Sequence, residues 1–294
     1  MTVVDAHLHV WDPEQAAYEW LGPAMAPVDR AMRFHDALPA LRTAGVGAAV
    51  LVQAADNDED TDLMLATAAR HPEVVGVVAW VPLDDPGRAR ARLAALRRDP
   101  HVVGVRTLLH ERSDPDWVLG PDADAGLALL AEAGLPFDYS TTSPAALRHL
   151  AELSARHPAL RLVVDHLGKP PVGGGREDRA EWHRLIAAAA KHPGVHAKLS
   201  GLYSASGALD AWTTDEVRPF VEDALELFGP ERLMYGGDWP ISLLAGGYAR
   251  TWEAMCGLLA PLAPDDRAAV LGGTATRFYR LDPALLNTAH HAAV

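Results

Sequence analysis

Near the start of the chain, VVDAHLHVWD (3–12) spaces Asp5, His7 and His9 two residues apart. In a strand that spacing puts all three on one face, with the imidazoles about 7 Å apart along the chain. Two imidazoles joined by carboxylate oxygens suit Zn²⁺, and Mn²⁺ less well. His-x-His alone says little, because packed and surface histidines share the spacing. Its meaning grows from polar residues that end other apolar runs. Asp165 and His166 close LRLVVDH, and Asp238 sits in MYGGDWP. Arg106 follows HVVGV, Asp138 and Tyr139 lie in LPFDYS, and Lys198 and Ser200 lie in GVHAKLSGL, with Gln53 ending another run. Ionisable groups gathered in a core are costly unless paired or functional. Together they sort into roles. His7, His9, His166 and Asp238 form a ligand set for a divalent ion. Gly236 and Gly237 allow close approach beside Asp238, and Pro240 ends its strand. Asp238 is then a candidate general base, a helix N-cap being the plainer reading. His166 is a ligand, a carbonyl polariser or a rim residue. His110, beyond Arg106, is within reach of a substrate.

The elements that must position these residues alternate. Eight β-branched runs (3–9, 46–53, 74–83, 101–109, 135–140, 160–167, 194–202 and 232–240) are separated by helical patterns. The helices are predicted over 35–44, 58–70, 85–98, 122–133, 144–156, 177–191, 214–228 and 247–261. Their stops rhyme: RHP at 70–72 and 156–158, KHP at 191–193, RDP at 98–100. A cation suits a helix C-terminus and proline cannot continue it. His71, His157 and His192 belong to these stops. His149 and His183 are expected on solvated helix faces, His196 in packing, and His290 and His291 in a short tail over 283–294. Eight strand–helix units predict a single-domain (β/α)8 barrel over 1–294. A doubly wound sheet would show a Gly-rich first turn, and strand one ends in HLHVWD instead. In a barrel the active site lies at the C-terminal strand ends, where these polar residues fall. The loop over 10–34, with four aromatic residues and three prolines, should cover the mouth. PPVGGGRED (170–178) is a second candidate lid.

The bulk numbers narrow the class. The chain has 294 residues, 49% of them hydrophobic, and a net charge of −13. That sign gives no reason to bind nucleic acid or an anionic membrane. The single Cys256 excludes an internal disulfide framework and reads as core. Neither a secretory leader nor an 18-residue apolar span is visible, so a cytoplasmic enzyme with a small-molecule substrate is expected. Homo-oligomerisation stays open.

DAHLHVWD, GVRTLLH, DHLGKPP, AKLSGLY and RLMYGGDWP, with the closing TATRFYRL, resemble the motifs of the amidohydrolase superfamily. More narrowly they resemble its amidohydrolase-2 branch, which holds sugar-lactone hydrolases. The resemblance implies a (β/α)8 barrel and hydrolysis at a carbonyl. It matches His7, His9, His166 and Asp238 to metal and base positions, and Arg106, Lys169 and Lys198 to positions near substrate. Many binuclear members carry a bridging lysine on strand four, where this chain has Arg106. At most one metal is therefore implied, zinc before manganese, and some relatives work without one. The implied reaction opens a lactone: Asp238 takes a proton from water, and His166, Arg106 or the ion stabilises the oxyanion. Lys169, Lys198, Tyr139 and His110 would bind hydroxyls or the product carboxylate. Two alternatives stand beside it. One is a metal-dependent decarboxylase with an apolar pocket from Trp11, Trp20 and Trp80; the other is a barrel that binds a small ligand without turnover.

Overall fold

Every apolar run of the sequence forms a strand in the computed structural model, which describes residues 2–293. The strands are β1 (Val4–Leu8), β2 (Ala48–Val52), β3 (Val74–Ala79), β4 (Val102–Thr107), β5 (Phe137–Tyr139), β6 (Leu162–Val164), β7 (Val195–Leu199) and β8 (Leu233–Tyr235). Eight helices follow them in turn: α1 (Phe34–Thr43), α2 (Asp58–Ala68), α3 (Pro86–Leu96), α4 (Pro121–Ala133), α5 (His149–Arg156), α6 (Arg176–Ala190), α7 (Thr214–Phe228) and α8 (Tyr248–Leu259). The sheet is parallel in the order β1 to β8. A bridge between Leu8 and Trp239 joins its two edges, with Asp238 N donating to His7 O at 2.8 Å and His9 N to Trp239 O at 2.7 Å. This is the predicted (β/α)8 barrel. No helix among the described residues is long and apolar enough to cross a membrane.

Alternation splits the core into two shells. Val4, Ala6, Val50, Val78, Val163 and Met234 fill the barrel interior. Their neighbours along the strands, such as Ala49, Leu51 and Val77, pack outward with the helices. The interior is closed at the N-terminal end by Phe278 and Tyr279 of α10 (Thr274–Tyr279) and by Leu281 just after it; α9 (Pro264–Ala268) and a π-turn segment lead into α10. The expected tail is instead a helix, α11 (Pro283–Ala293), which buries Ala289 against the interior cluster.

β1 corrects the opening expectation. Val4 and Asp5 pair with Ala48 and Ala49, yet Leu8 pairs with Leu51, so β1 carries one extra residue. Such a bulge flips the side-chain phase and re-aims the residues beyond it. Asp5 therefore faces outward, where its carboxylate accepts from Tyr248 Oη at 2.7 Å, while His7 and His9 turn inward. The three do not share a face.

The loop between β1 and α1 is fastened at several points. Trp11 and Met32 form an antiparallel bridge. Trp20 Nε1 donates to Ala54 O at 2.8 Å, and Tyr18 Oη to Asp60 Oδ1 at 2.9 Å. The helix stops also differ in detail. His157 Nε2 lies 3.0 Å from Asp124 Oδ1, His71 packs on Phe34 at 5.1 Å, and His149 is buried rather than solvated.

Helix α4 approaches the β3–α3 connection at Gly126, where an added Cβ would lie 2.4 Å from Leu83 O. Alanine favours a helix by about 1 kcal/mol over glycine, but overpacking costs typically 1–3 kcal/mol. G126A should therefore lower the thermal midpoint; an unchanged or raised midpoint would show that this contact yields without cost.

Candidate active site

A cavity of about 290 Å³ opens at the C-terminal mouth of the barrel. Its polar wall is His9, Arg106, His110, His166, Lys169 and Asp238. Trp11, Trp20, Met25, Leu108 and Ile241 form an apolar wall opposite. Trp11, Trp20 and Met25 come from the β1–α1 loop, which does cover the mouth. Trp80 lines a different cavity on the outer rim. A further cavity of about 410 Å³ lies behind the loop, against Asp12, Arg33 and Arg70, and holds none of the predicted site residues.

His7, His9 and Asp238 converge below the cavity floor, with one ligand atom from each within 4.8 Å of the others. His9 Nδ1 donates to Val52 O at 2.8 Å. That bond leaves the Nε2 lone pair facing His7 Nε2 at 3.1 Å and Asp238 Oδ1 at 3.5 Å. His7 Nδ1 is engaged between the Lys198 ammonium at 3.0 Å and Asp165 Oδ1 at 3.3 Å, and Nε2 is the nitrogen turned toward His9. Burial, reinforced by the Lys198 charge, holds His7 neutral, its pKa well below the ordinary range. Two neutral imidazoles with engaged outer nitrogens and one carboxylate make a donor set that fits a divalent ion with an open position. His166 stands outside this group. Its Nδ1 meets Ser200 Oγ at 2.9 Å, and its Nε2 is 4.0 Å from Asp238 Oδ1. Burial also keeps His166 neutral. For Asp238, burial pushes the carboxyl up, but the neighbouring His166, His9 and Lys169 outweigh it and hold the group below its ordinary value. Burial lowers Lys169, and takes His110 to about 4.

Two predicted substrate contacts lie elsewhere. Lys198 is fully buried one layer beneath the mouth. Its ammonium donates to Asp138 Oδ2 at 2.6 Å, sits 2.9 Å from Asp165 Oδ1 and reaches His7 Nδ1 at 3.0 Å. Tyr139 points to the outer shell, where its hydroxyl donates to Ala146 O at 2.8 Å and meets His149 Nδ1 at 2.8 Å. A three-residue strand that places Asp138 inward must turn Tyr139 outward. Asp165 has a role that strand-end spacing does not assign. Its second oxygen lies 2.9 Å from Arg106 Nε, so one carboxylate ties Arg106, Lys198 and His7 together. The signal for it is the DH pair itself, a carboxylate directly before the strand-end histidine. Ser140, Thr141 and Thr142, after β5, line the cavity as well.

The backbone at the site is strained. His166, Leu167, Lys169 and Asp238 are four of the five non-glycine residues with positive φ among those described. Such conformations cost energy and cluster where geometry is over-determined. Gly201 shows why bulk is excluded here: an added Cβ would lie 2.4 Å from His166 Nδ1.

The amidohydrolase family model matches residues 4–281. The chain belongs to the amidohydrolase family. It is 37% identical over 283 residues to an L-fucono-1,5-lactonase of Burkholderia ambifaria, covering 95% of this chain and 96% of that one. A second L-fucono-1,5-lactonase, from Burkholderia multivorans, is 32% identical, covering 96% and 97%. A crystal structure of an amidohydrolase from Burkholderia multivorans with bound zinc superposes with a TM-score of 0.89 at 30% identity, over 96% of this chain and all of that one.

Two measurements test the layer beneath the site. Lys198→Met strands two buried carboxylates, so it should cost about 3–5 kcal/mol; a thermal midpoint near that of the unmodified protein would refute the pairing. Asp60, under the loop, is pushed by burial from 3.8 up to about 7. The folded state then binds the extra proton between these values, and stability contributed by this group is lost as pH rises through about 7. Asp60→Asn should therefore shrink the fall in midpoint between pH 5 and pH 8.

Proposed function

We propose that this amidohydrolase opens a sugar 1,5-lactone to its hydroxy acid, with Asp238 as general base. The observation that carries the reading is the convergence of His7, His9 and Asp238 beneath a cavity that His9 and Asp238 line. The lactonase relatives, matched over nearly the whole chain, support it. The apolar wall of Trp11, Trp20, Met25, Leu108 and Ile241 suits a ring with one unhydroxylated end, as in a 6-deoxy sugar. Lactone hydrolysis changes no oxidation state, so proton movement and oxyanion stabilisation are the whole task.

The water oxygen attacks the lactone carbonyl carbon while Asp238 Oδ1 takes its proton. The carbonyl π pair moves onto oxygen. Arg106 and His166 stabilise that charge, His166 through Nε2–H when Nδ1 accepts from Ser200. The ring C–O bond then breaks, and Asp238 returns its proton to the departing ring oxygen. The carboxylic acid so formed loses its proton to solvent, Lys169 pairs with the resulting carboxylate, and His110, Ser140 and Thr141 meet the hydroxyls. A divalent ion, most simply zinc, held by His7, His9 and Asp238 would supply Lewis acidity toward the carbonyl oxygen.

A pH-indicator assay on L-fucono-1,5-lactone and related aldonolactones tests this. Asp238→Asn should lower kcat by ~10²–10⁴-fold, and the H7A/H9A double variant should lose its metal by elemental analysis. Near-normal turnover by Asp238→Asn would overturn the base assignment. CO₂ release from an aromatic acid, without lactone hydrolysis, would favour the decarboxylase reading.

A further inference from the structure

Behind β7 and β8, away from the mouth, a small cavity of about 30 Å³ is lined by Tyr203 and Tyr235 among apolar residues such as Trp212, Met255 and Leu258. Both phenols are buried, and neither hydroxyl has a hydrogen-bond partner among the described residues. An orphaned buried hydroxyl costs about 1–3 kcal/mol. About 10–15 Å³ is room enough for one water, so a single water here could serve both. The surroundings continue the polar path on each side. Tyr203 stands beside Asp238. Asp238 Oδ1 is turned to the imidazoles, and its other oxygen, Oδ2, lies 3.0 Å from where a Cβ on Gly201 would stand, a residue that lines this same cavity. Tyr235 stands beside Tyr248, whose hydroxyl donates to Asp5 Oδ2 at 2.7 Å. Asp5 Oδ1 in turn accepts from Gly237 N at 2.9 Å and His7 N at 3.0 Å. A polar seam therefore runs from Asp238 to Asp5 through an apolar shell, and burial keeps its phenols protonated.

We propose that Tyr203 is a positioning residue for Asp238, and that an ordered water in this cavity joins it to Tyr235. The Tyr203 hydroxyl donates to Oδ2 in the working site and so keeps Oδ1 aimed at the imidazoles. The proposal rests on Asp238 acting as the base. Apart from that, it needs only the seam.

Tyr203→Phe keeps the ring and removes the donor. Groups that orient a ligand or base are typically worth 10–100-fold in activity or metal affinity. The variant should lose about 10-fold in kcat, with KM changed by less than about 2-fold. The visible spectrum of the cobalt-loaded protein should shift, because Asp238 turns. Tyr235→Phe should give a smaller loss, and the double variant should be no worse than Tyr203→Phe alone, since Tyr235 acts on Asp238 only by way of the water and Tyr203. If Tyr203→Phe does not fold, the Tyr235→Phe arm decides: a kcat and cobalt spectrum unchanged there overturn the seam. A folded Tyr203→Phe with unchanged kcat and spectrum overturns the positioning role, and an inactive Asp238→Asn beside it leaves the base reading standing. An active Asp238→Asn overturns both.

Discussion

One ammonium group sits at the centre of this barrel, and the site above depends on it. Lys198 is enclosed with Asp138 and Asp165, all three fully buried. Two bare carboxylates at that depth would repel each other and lose their hydration, each loss costing several kcal/mol. With the ammonium between them they become fixed struts. Asp165 can then hold Arg106 on one side and His7 on the other, while Asp138 takes the Tyr279 hydroxyl at 2.6 Å. The groups that face the cavity are held from below by charge and from the side by backbone.

That backbone is the second constraint. The turn after β6 runs through His166, Leu167, Gly168 and Lys169, all with positive φ. Such a path is not what the residues prefer locally. It persists because Leu167 is buried and its carbonyl accepts from Trp182 Nε1 at 2.8 Å, locking the turn to α6. Asp238 is held comparably, its own N–H spent on His7 O. The barrel's stability is thus drawn on to keep two cavity-lining side chains in conformations a free chain would leave.

Much of this was legible in the residues, and the illegible parts share a cause. Eight apolar runs and eight helical patterns mark the barrel because burial imposes period and length. His7, His9, Arg106, His166 and Asp238 could be found because ionisable groups at the ends of pure apolar runs need a reason. The face of Asp5 could not be found, since the bulge exists only in the pairing of β1 with β2. Nor could the depth of Lys198, because alternation gives the side of a strand, and a four-carbon stem then chooses how far down to reach. Tyr139 failed for want of length: three residues carry no readable phase. Trp20 and Met25 were implied only as part of an aromatic loop, as irregular backbone has no period to extrapolate.

The Tyr279 hydroxyl, finally, sets an order of assembly. The first imidazole leaves the ribosome with residue 7, and the Asp138 carboxylate comes well before Lys198. Tyr279, which completes the Asp138 shell and closes the barrel floor, follows both of them. Lys198 can neutralise the two carboxylates as soon as it is made, but their enclosure waits for Tyr279, so charge is balanced in this shell before its floor is closed.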